Sequence, residues 1–121
     1  MTVYFDTKTG NVQRFIDKLI AYNPAVRAIN INDIEVPTET GHLITYTTGS
    51  GNVPVTTTYF MERYNEFILS VSASGNRNWG RNFAISANIL STQYNIAVAH
   101  QFELSGLNED VEFFCRVIFE M

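Results

Sequence analysis

The sequence predicts an α/β fold in which a five-stranded, mostly parallel sheet is covered by helices on both faces. Extended segments at residues 2–5 (TVYF), 26–31 (VRAINI), 42–47 (HLITYT), 67–74 (FILSVSAS) and 97–103 (AVAHQFE) alternate with segments of helical period, the signature of strands joined by crossover helices. The runs starting at 2, 43 and 67 are nearly continuously apolar, as interior parallel strands must be. Those starting at 26 and 97 carry Arg27, Asn30, His100 and Gln101, which suits edges with one wet side.

Each helix has its own warrant. Val12, Phe15, Ile16, Leu19 and Ile20 recur with the 3.6-residue period, as do Phe83, Ala87, Leu90 and Tyr94, and Val111, Phe114, Cys115 and Ile118. Residues 54–65 are less regular. There Val55, Tyr59, Phe60 and Met61 group together, and Pro54 suits the first turn because its missing N–H forfeits no helical bond. Asn108 is a good cap for the last helix, with Glu109 and Asp110 at the positive end of its dipole. Between these lie short loops at Asp6–Asn11, Tyr22–Pro24, Thr47–Pro54, Gly75–Gly80 and Ser105–Asn108. The link between the second and third strands, with Pro37 and Gly41, lacks a helix-length apolar pattern, so a degenerate crossover is expected there. The element order is β-α-β-β-α-β-α-β-α. With the second and fifth strands at the edges, the sheet order is 2-1-3-4-5, the flavodoxin-like arrangement. A dinucleotide-binding doubly wound fold would need a sixth strand.

Composition narrows the function. The 121 residues correspond to one domain, 1–121, with 45% hydrophobic content, enough for a core. Eight Lys and Arg against 12 Asp and Glu give a net charge of −4, which argues against phosphate-backbone binding to nucleic acid. No apolar run approaches the ~20 residues of a membrane span, and a strand starts at Thr2 where a signal peptide would place a basic segment. The single cysteine, Cys115, can form neither an internal disulfide nor a zinc cluster. A soluble, cytoplasmic protein is expected.

In such a sheet ligands bind at the carboxyl ends of the strands, at the switch point between the first and third. Three loops rich in Gly, Ser, Thr and Asn converge there. Asp6-Thr7-Lys8-Thr9-Gly10-Asn11 leaves a strand and opens a helix. Its backbone N–H groups and the Thr7 and Thr9 hydroxyls would cradle a phosphate, each charge-assisted bond contributing roughly 1.5–3 kcal/mol. The same residues also suit an ordinary capped turn. No GxxxxGK[ST] sequence occurs. Thr47-Thr48-Gly49-Ser50-Gly51-Asn52 could lie flat against a planar ligand, or serve as a plain flexible turn; its GxG is no dinucleotide fingerprint. Ser74-Gly75-Asn76-Arg77-Asn78-Trp79-Gly80 holds the only tryptophan. Its ring would stack on a heterocycle, fold back onto the core, or serve a partner interface.

Acids are absent from Gly41 to Met61 and from Phe67 to Phe102, whereas Arg77 and Arg81 are present. A unit charge at ~5 Å and an effective dielectric of ~20 shifts an anion's energy by ~3 kcal/mol, on the order of 0.1 V for one electron. A site without nearby acids should therefore tolerate an anionic reduced flavin better than an acid-ringed one. Other candidates are weaker. His42 and His100 read as strand-surface residues, Cys115 as core, and Glu109, Asp110 and Glu112 as a solvated helix start. No Ser-His-Asp or paired-carboxylate constellation can be argued.

The words TGNVQRF (9–15), ITYTTGSGNVP (44–54), SASGNRNWG (72–80) and FELSGLNEDVE (102–112) make the sequence closely resemble the NrdI family, small flavodoxin-like proteins that accompany class Ib ribonucleotide reductases. The resemblance implies one noncovalently bound FMN. Its phosphate would rest on Thr7, Lys8, Thr9, Gly10, Asn11 and Val12. Its ring edge would meet Thr47, Thr48, Gly49, Ser50, Gly51 and Asn52, together with Ser74, Gly75, Asn76, Asn78, Trp79 and Gly80. It further implies that electrons pass to O₂, and that the resulting superoxide or peroxide oxidises the dimetal, typically dimanganese, site of the radical-generating small subunit. That subunit, O₂ and a reductase or thiol-redox electron donor are the partners implied. A general flavodoxin shuttling electrons is the alternative. Two departures stand out: Val12 replaces the hydroxyl residue of general flavodoxins, and Ser50 stands where some relatives carry a bulky aromatic.

Overall fold

In the computed structural model, which describes residues 1–34 and 36–121, five parallel strands form one sheet in the order β2-β1-β3-β4-β5. The strands are β1 (Thr2–Phe5), β2 (Arg27–Asn30), β3 (Gly41–Tyr46), β4 (Ile68–Gly75) and β5 (Ala97–Glu103). The helices are α1 (Asn11–Tyr22), α2 (Val55–Tyr64), α3 (Ser86–Tyr94) and α4 (Asn108–Glu120). The expected order is the one found. Among its described residues the connection from β2 to β3 contains one 3-10 turn, Ile31–Asp33.

The strands sort by burial as their chemistry requires. All four residues of β1 are buried, and β3 and β4 are nearly so. Edge strand β2 has no buried residue. Because strand side chains alternate between faces, Val3, Phe5 and Ile44 enter one core with Phe15, Leu19, Phe114 and Ile118 of α1 and α4. Tyr4, Leu43 and Val71 enter the other, beneath Phe60 and Met61 of α2 and Leu90 of α3. Phe15 stacks on Phe102 at 4.2 Å between ring centroids and meets the edge of Phe114 at 5.8 Å.

Several local expectations change. In α2 the buried residues are Thr57, Phe60 and Met61, while Val55 and Tyr59 face outward. Burial of Thr57 is compensated by hydrogen bonds to Thr45 and Asp6. The last helix begins one residue early: Leu107 is the residue before the first turn, and its N–H donates to the Asp110 carboxylate at 2.7 Å. Asp110 also meets His100 Nε2 at 2.8 Å, so it is a capping and pairing group rather than a merely solvated acid. Cys115 is core, as expected.

His42 is the clearest departure. It is 1% exposed, inside the sheet, with Nδ1 2.7 Å from the hydroxyl of Ser70 on the neighbouring strand. Burial, reinforced by the positive amino terminus, lowers its pKa to about 4. Because the folded value lies below the ordinary 6.5, neutral His42 favours the fold fully above pH ~6.5, and that contribution is lost as pH falls toward 4. Between pH 7 and pH 4.5 the loss should be about 2–3 kcal/mol. Urea denaturation at the two pH values measures it, and His42→Gln should show a smaller loss than the parent chain.

Candidate functional site at the strand tips

The tip of β1 leads through Asp6 and Thr7–Gly10 into α1. Gly10 precedes the helix at φ +95°, a left-handed conformation that glycine adopts without steric cost. A Cβ there would also stand 2.8 Å from Arg14 Nη1. The first helical bond is donated by Arg14 N to Gly10 O at 2.9 Å. No side chain caps the helix and no acid lies in its first turn. The amides of Asn11, Val12 and Gln13 are thus the free donors of a helix start, where the dipole favours an anion. Beside them, Thr7 Oγ1 is fully buried and has no hydrogen-bond partner among the described residues. A buried hydroxyl left unpaired costs about 1–3 kcal/mol.

Asp6 anchors this loop from behind. It is 1% exposed, and its carboxylate accepts hydrogen bonds from Asn32 Nδ2 at 3.0 Å, Thr57 Oγ1 at 2.7 Å and Thr56 Oγ1. These donors come from the β2–β3 connection and from the start of α2, so one carboxylate ties two segments to the β1 tip. Its charge, after burial, raises the pKa of the Tyr46 phenol, against a smaller opposing effect of the hydrogen bond to Thr56.

The loop after β3 closes on itself. Thr48 N donates to Asn52 O, Gly51 N to Thr48 O, and Asn52 N to Thr48 Oγ1. Gly51 has φ +81°, and a Cβ there would approach Asn82 to 3.0 Å, so this turn packs against the loop after β4. Beneath it Thr47 and Ser86, both buried, share a hydrogen bond of 2.8 Å. Gly75 ends β4 so close to the backbone of Ala84 that a Cβ there would collide with the Ala84 N. A 3-10 segment, Arg77–Asn82, follows.

Together the tips enclose a cavity of about 390 Å³, within the usual range of small-molecule sites. Thr7, Lys8, Thr9, Asn11 and Val12 line it from the first loop, Thr47, Thr48 and Gly49 from the second, and Ser74, Gly75, Asn76 and Trp79 from the third. Trp79 therefore faces the cavity rather than folding back onto the core. Gly10, Ser50, Gly51, Asn52, Asn78 and Gly80 are not on the wall. Gly10 shapes the helix start, and Ser50 and Asn52 are turned to solvent by the closed turn. Tyr46 and Leu104 line the cavity although sequence reasoning did not select them. Leu104 adopts φ +53° and its N–H donates to Gly75 O at 2.9 Å. That bond runs from the β5 tip, and no local motif announces it.

Electrostatically the fold adds what the acid-free stretches omit. Glu103, at the end of β5, lies 4.0 Å from Arg77 Nε and accepts a hydrogen bond from Arg77 N at 3.1 Å. The Arg77 guanidinium also lies over Phe83, 4.5 Å from the ring centre. No group of three or more potential metal ligands occurs among the described residues, nor among them is any helix long and apolar enough to cross a membrane.

Known proteins share this arrangement. Protein NrdI of Bacillus licheniformis is 47% identical over 116 residues, covering 96% of this chain and 86% of its own. Protein NrdI of Macrococcus caseolyticus is 35% identical over 114 residues, covering 94% and 85%. Among solved structures, a short-chain flavodoxin associated with a non-canonical PDU bacterial microcompartment superposes with a TM-score of 0.73 at 18% identity, covering 98% of this chain and 95% of that one. Oxidised flavodoxin 2 from Bacillus cereus does so with a TM-score of 0.70 at 17% identity, covering 98% and 94%. These two likenesses establish the flavodoxin-like fold. The NrdI flavodoxin-like family matches residues 3–116, so with two NrdI relatives aligned along nearly its whole length, this chain belongs to the NrdI family.

Proposed function

We propose that residues 1–121 form one FMN-binding domain that works as a cytoplasmic redox protein, reducing O₂ to superoxide or peroxide to activate the dimetal small subunit of a class Ib ribonucleotide reductase. The observation that carries it is the buried, partnerless hydroxyl of Thr7 beside the three free amides opening α1. A phosphate monoester would supply oxygens to all of them, turning a folding cost into binding energy. The residues present therefore fit the group.

FMN, when bound, supplies reversible one- and two-electron chemistry at its ring. The chain's own residues bind, orient and expose that ring. In this reading Thr7, Lys8, Thr9, Gly10, Asn11 and Val12 hold the phosphate, Val12 through its backbone N–H. Thr47, Thr48 and Gly49 meet one side of the ring, with Ser50, Gly51 and Asn52 closing the turn behind them. Ser74, Gly75 and Asn76 meet the other side, with Asn78 and Gly80 shaping the loop. Trp79 offers a stacking surface. Ser50 adds no aromatic shield, which keeps a face accessible to a small oxidant. O₂ takes one electron to give superoxide, or two electrons and two protons to give hydrogen peroxide. A reductase or thiol-redox protein would return the electrons. Superposition on flavodoxins favours a second reading, a general one-electron shuttle.

A visible spectrum of the purified chain loaded with FMN, then stopped-flow mixing of the reduced protein with O₂ and the metal-loaded small subunit, separates the two readings. Radical formation in the subunit is expected. Electron transfer to redox partners without radical formation favours the shuttle.

Thr7→Val gives an internal check. Removing an unpaired buried hydroxyl should stabilise the cofactor-free chain by about 1 kcal/mol, read by denaturant unfolding. The same variant should bind FMN roughly tenfold more weakly, an expected loss of about 1.4 kcal/mol, read by quenching of flavin fluorescence. An unstable variant with unchanged FMN affinity would contradict the assignment.

A further inference from the structure

Arg14 lies outside the cavity wall, yet its guanidinium is held against the phosphate-binding turn. Nη2 donates to Asn11 Oδ1 at 2.7 Å and Nε donates to Ser105 Oγ at 3.0 Å. Ser105 Oγ in turn donates to Asn11 Oδ1 at 3.0 Å, closing a triangle between α1 and the β5–α4 loop. The remaining terminal nitrogen, Nη1, lies 2.8 Å from where a Cβ on Gly10 would stand. No carboxylate pairs with Arg14 among the described residues. The acids nearest that loop are already engaged, Glu103 by Arg77 and Asp110 by His100. Lys8, the other cation on this turn, is exposed and makes no hydrogen bond among the described residues.

We infer that Arg14 is the residue that selects a phosphorylated flavin over its unphosphorylated form. A guanidinium already fixed in orientation loses little side-chain freedom when it meets a phosphate, whereas the free Lys8 chain must be ordered first. Its charge also adds to the helix-start amides in a chain whose net charge is −4 and would otherwise repel a dianion. Asn11 is the link between the two roles, since it lines the cavity and accepts from Arg14. The inference rests on the FMN reading above.

The test compares affinities of the cofactor-free chain for FMN and riboflavin, by flavin fluorescence, at low and high salt. Arg14→Gln should weaken FMN roughly tenfold while leaving riboflavin within about twofold, and should flatten the salt dependence of FMN binding. Arg14→Lys, which keeps the charge but not the fork, should fall between. Equal weakening of both flavins in Arg14→Gln would make Arg14 a structural brace and overturn the inference. Undiminished selectivity in Arg14→Gln, with selectivity lost in Lys8→Gln, would overturn it in favour of Lys8. A parent chain that binds riboflavin and FMN equally overturns phosphate selection alone, whereas one that binds neither overturns the FMN reading as well.

Discussion

The site depends on β1 lying between β2 and β3 in a parallel sheet. The connections that leave the neighbouring strands β1 and β3 turn to opposite faces, α1 into one core and α2 into the other, so the loops at their carboxyl ends part and leave a crevice. Asp6 ties the two sides of that crevice together, accepting from Asn32 on one and from Thr56 and Thr57 on the other. A carboxylate at 1% exposure with only neutral donors is a costly way to hold a loop. Its three hydrogen bonds fix the turn that carries Thr7 and leave the amides of α1 pointing outward.

Stability and binding are therefore in tension at the same turn. The uncapped start of α1 and the unpaired Thr7 hydroxyl each leave a polar group without its partner. Elsewhere the molecule satisfies such groups with care: Thr47 pairs with Ser86, Thr45 with Thr57, and His42 with Ser70. Thr7 Oγ1 is the one buried side-chain oxygen or nitrogen among the described residues that lacks a partner, and such an exception marks a place kept ready for a ligand. Around that place the charge is balanced rather than purely positive, because Glu103 reaches Arg77 from β5.

Much of the architecture was legible because it is written in local chemistry. Arg27 and Asn30 mark an edge strand, TVYF an interior one, and the Gly- and Thr-rich turns fall where strands end. What could not be read depends on neighbours distant in sequence. His42 looks like a surface histidine until Ser70, 28 residues later, supplies its partner inside the sheet. Tyr46 joins the site because of where the β3 tip stands, and Leu104 because its amide bonds Gly75 from the next strand. Arg14 is held beside Gly10 by Asn11 on its own helix and by Ser105, 91 positions away, a partner that no local pattern announces. Ser50 and Asn52, which the resemblance places at the ring edge, are exposed in a turn whose self-closure depends on Thr48.

A crystal structure of the chain with FMN tests the central claim most directly. The expected result places phosphate oxygens within hydrogen-bonding distance of Thr7 Oγ1 and of the amides that open α1, with the ring between the Thr47–Gly49 turn and Trp79. A phosphate bound elsewhere, or a Thr7 hydroxyl still without a partner in the complex, would contradict it.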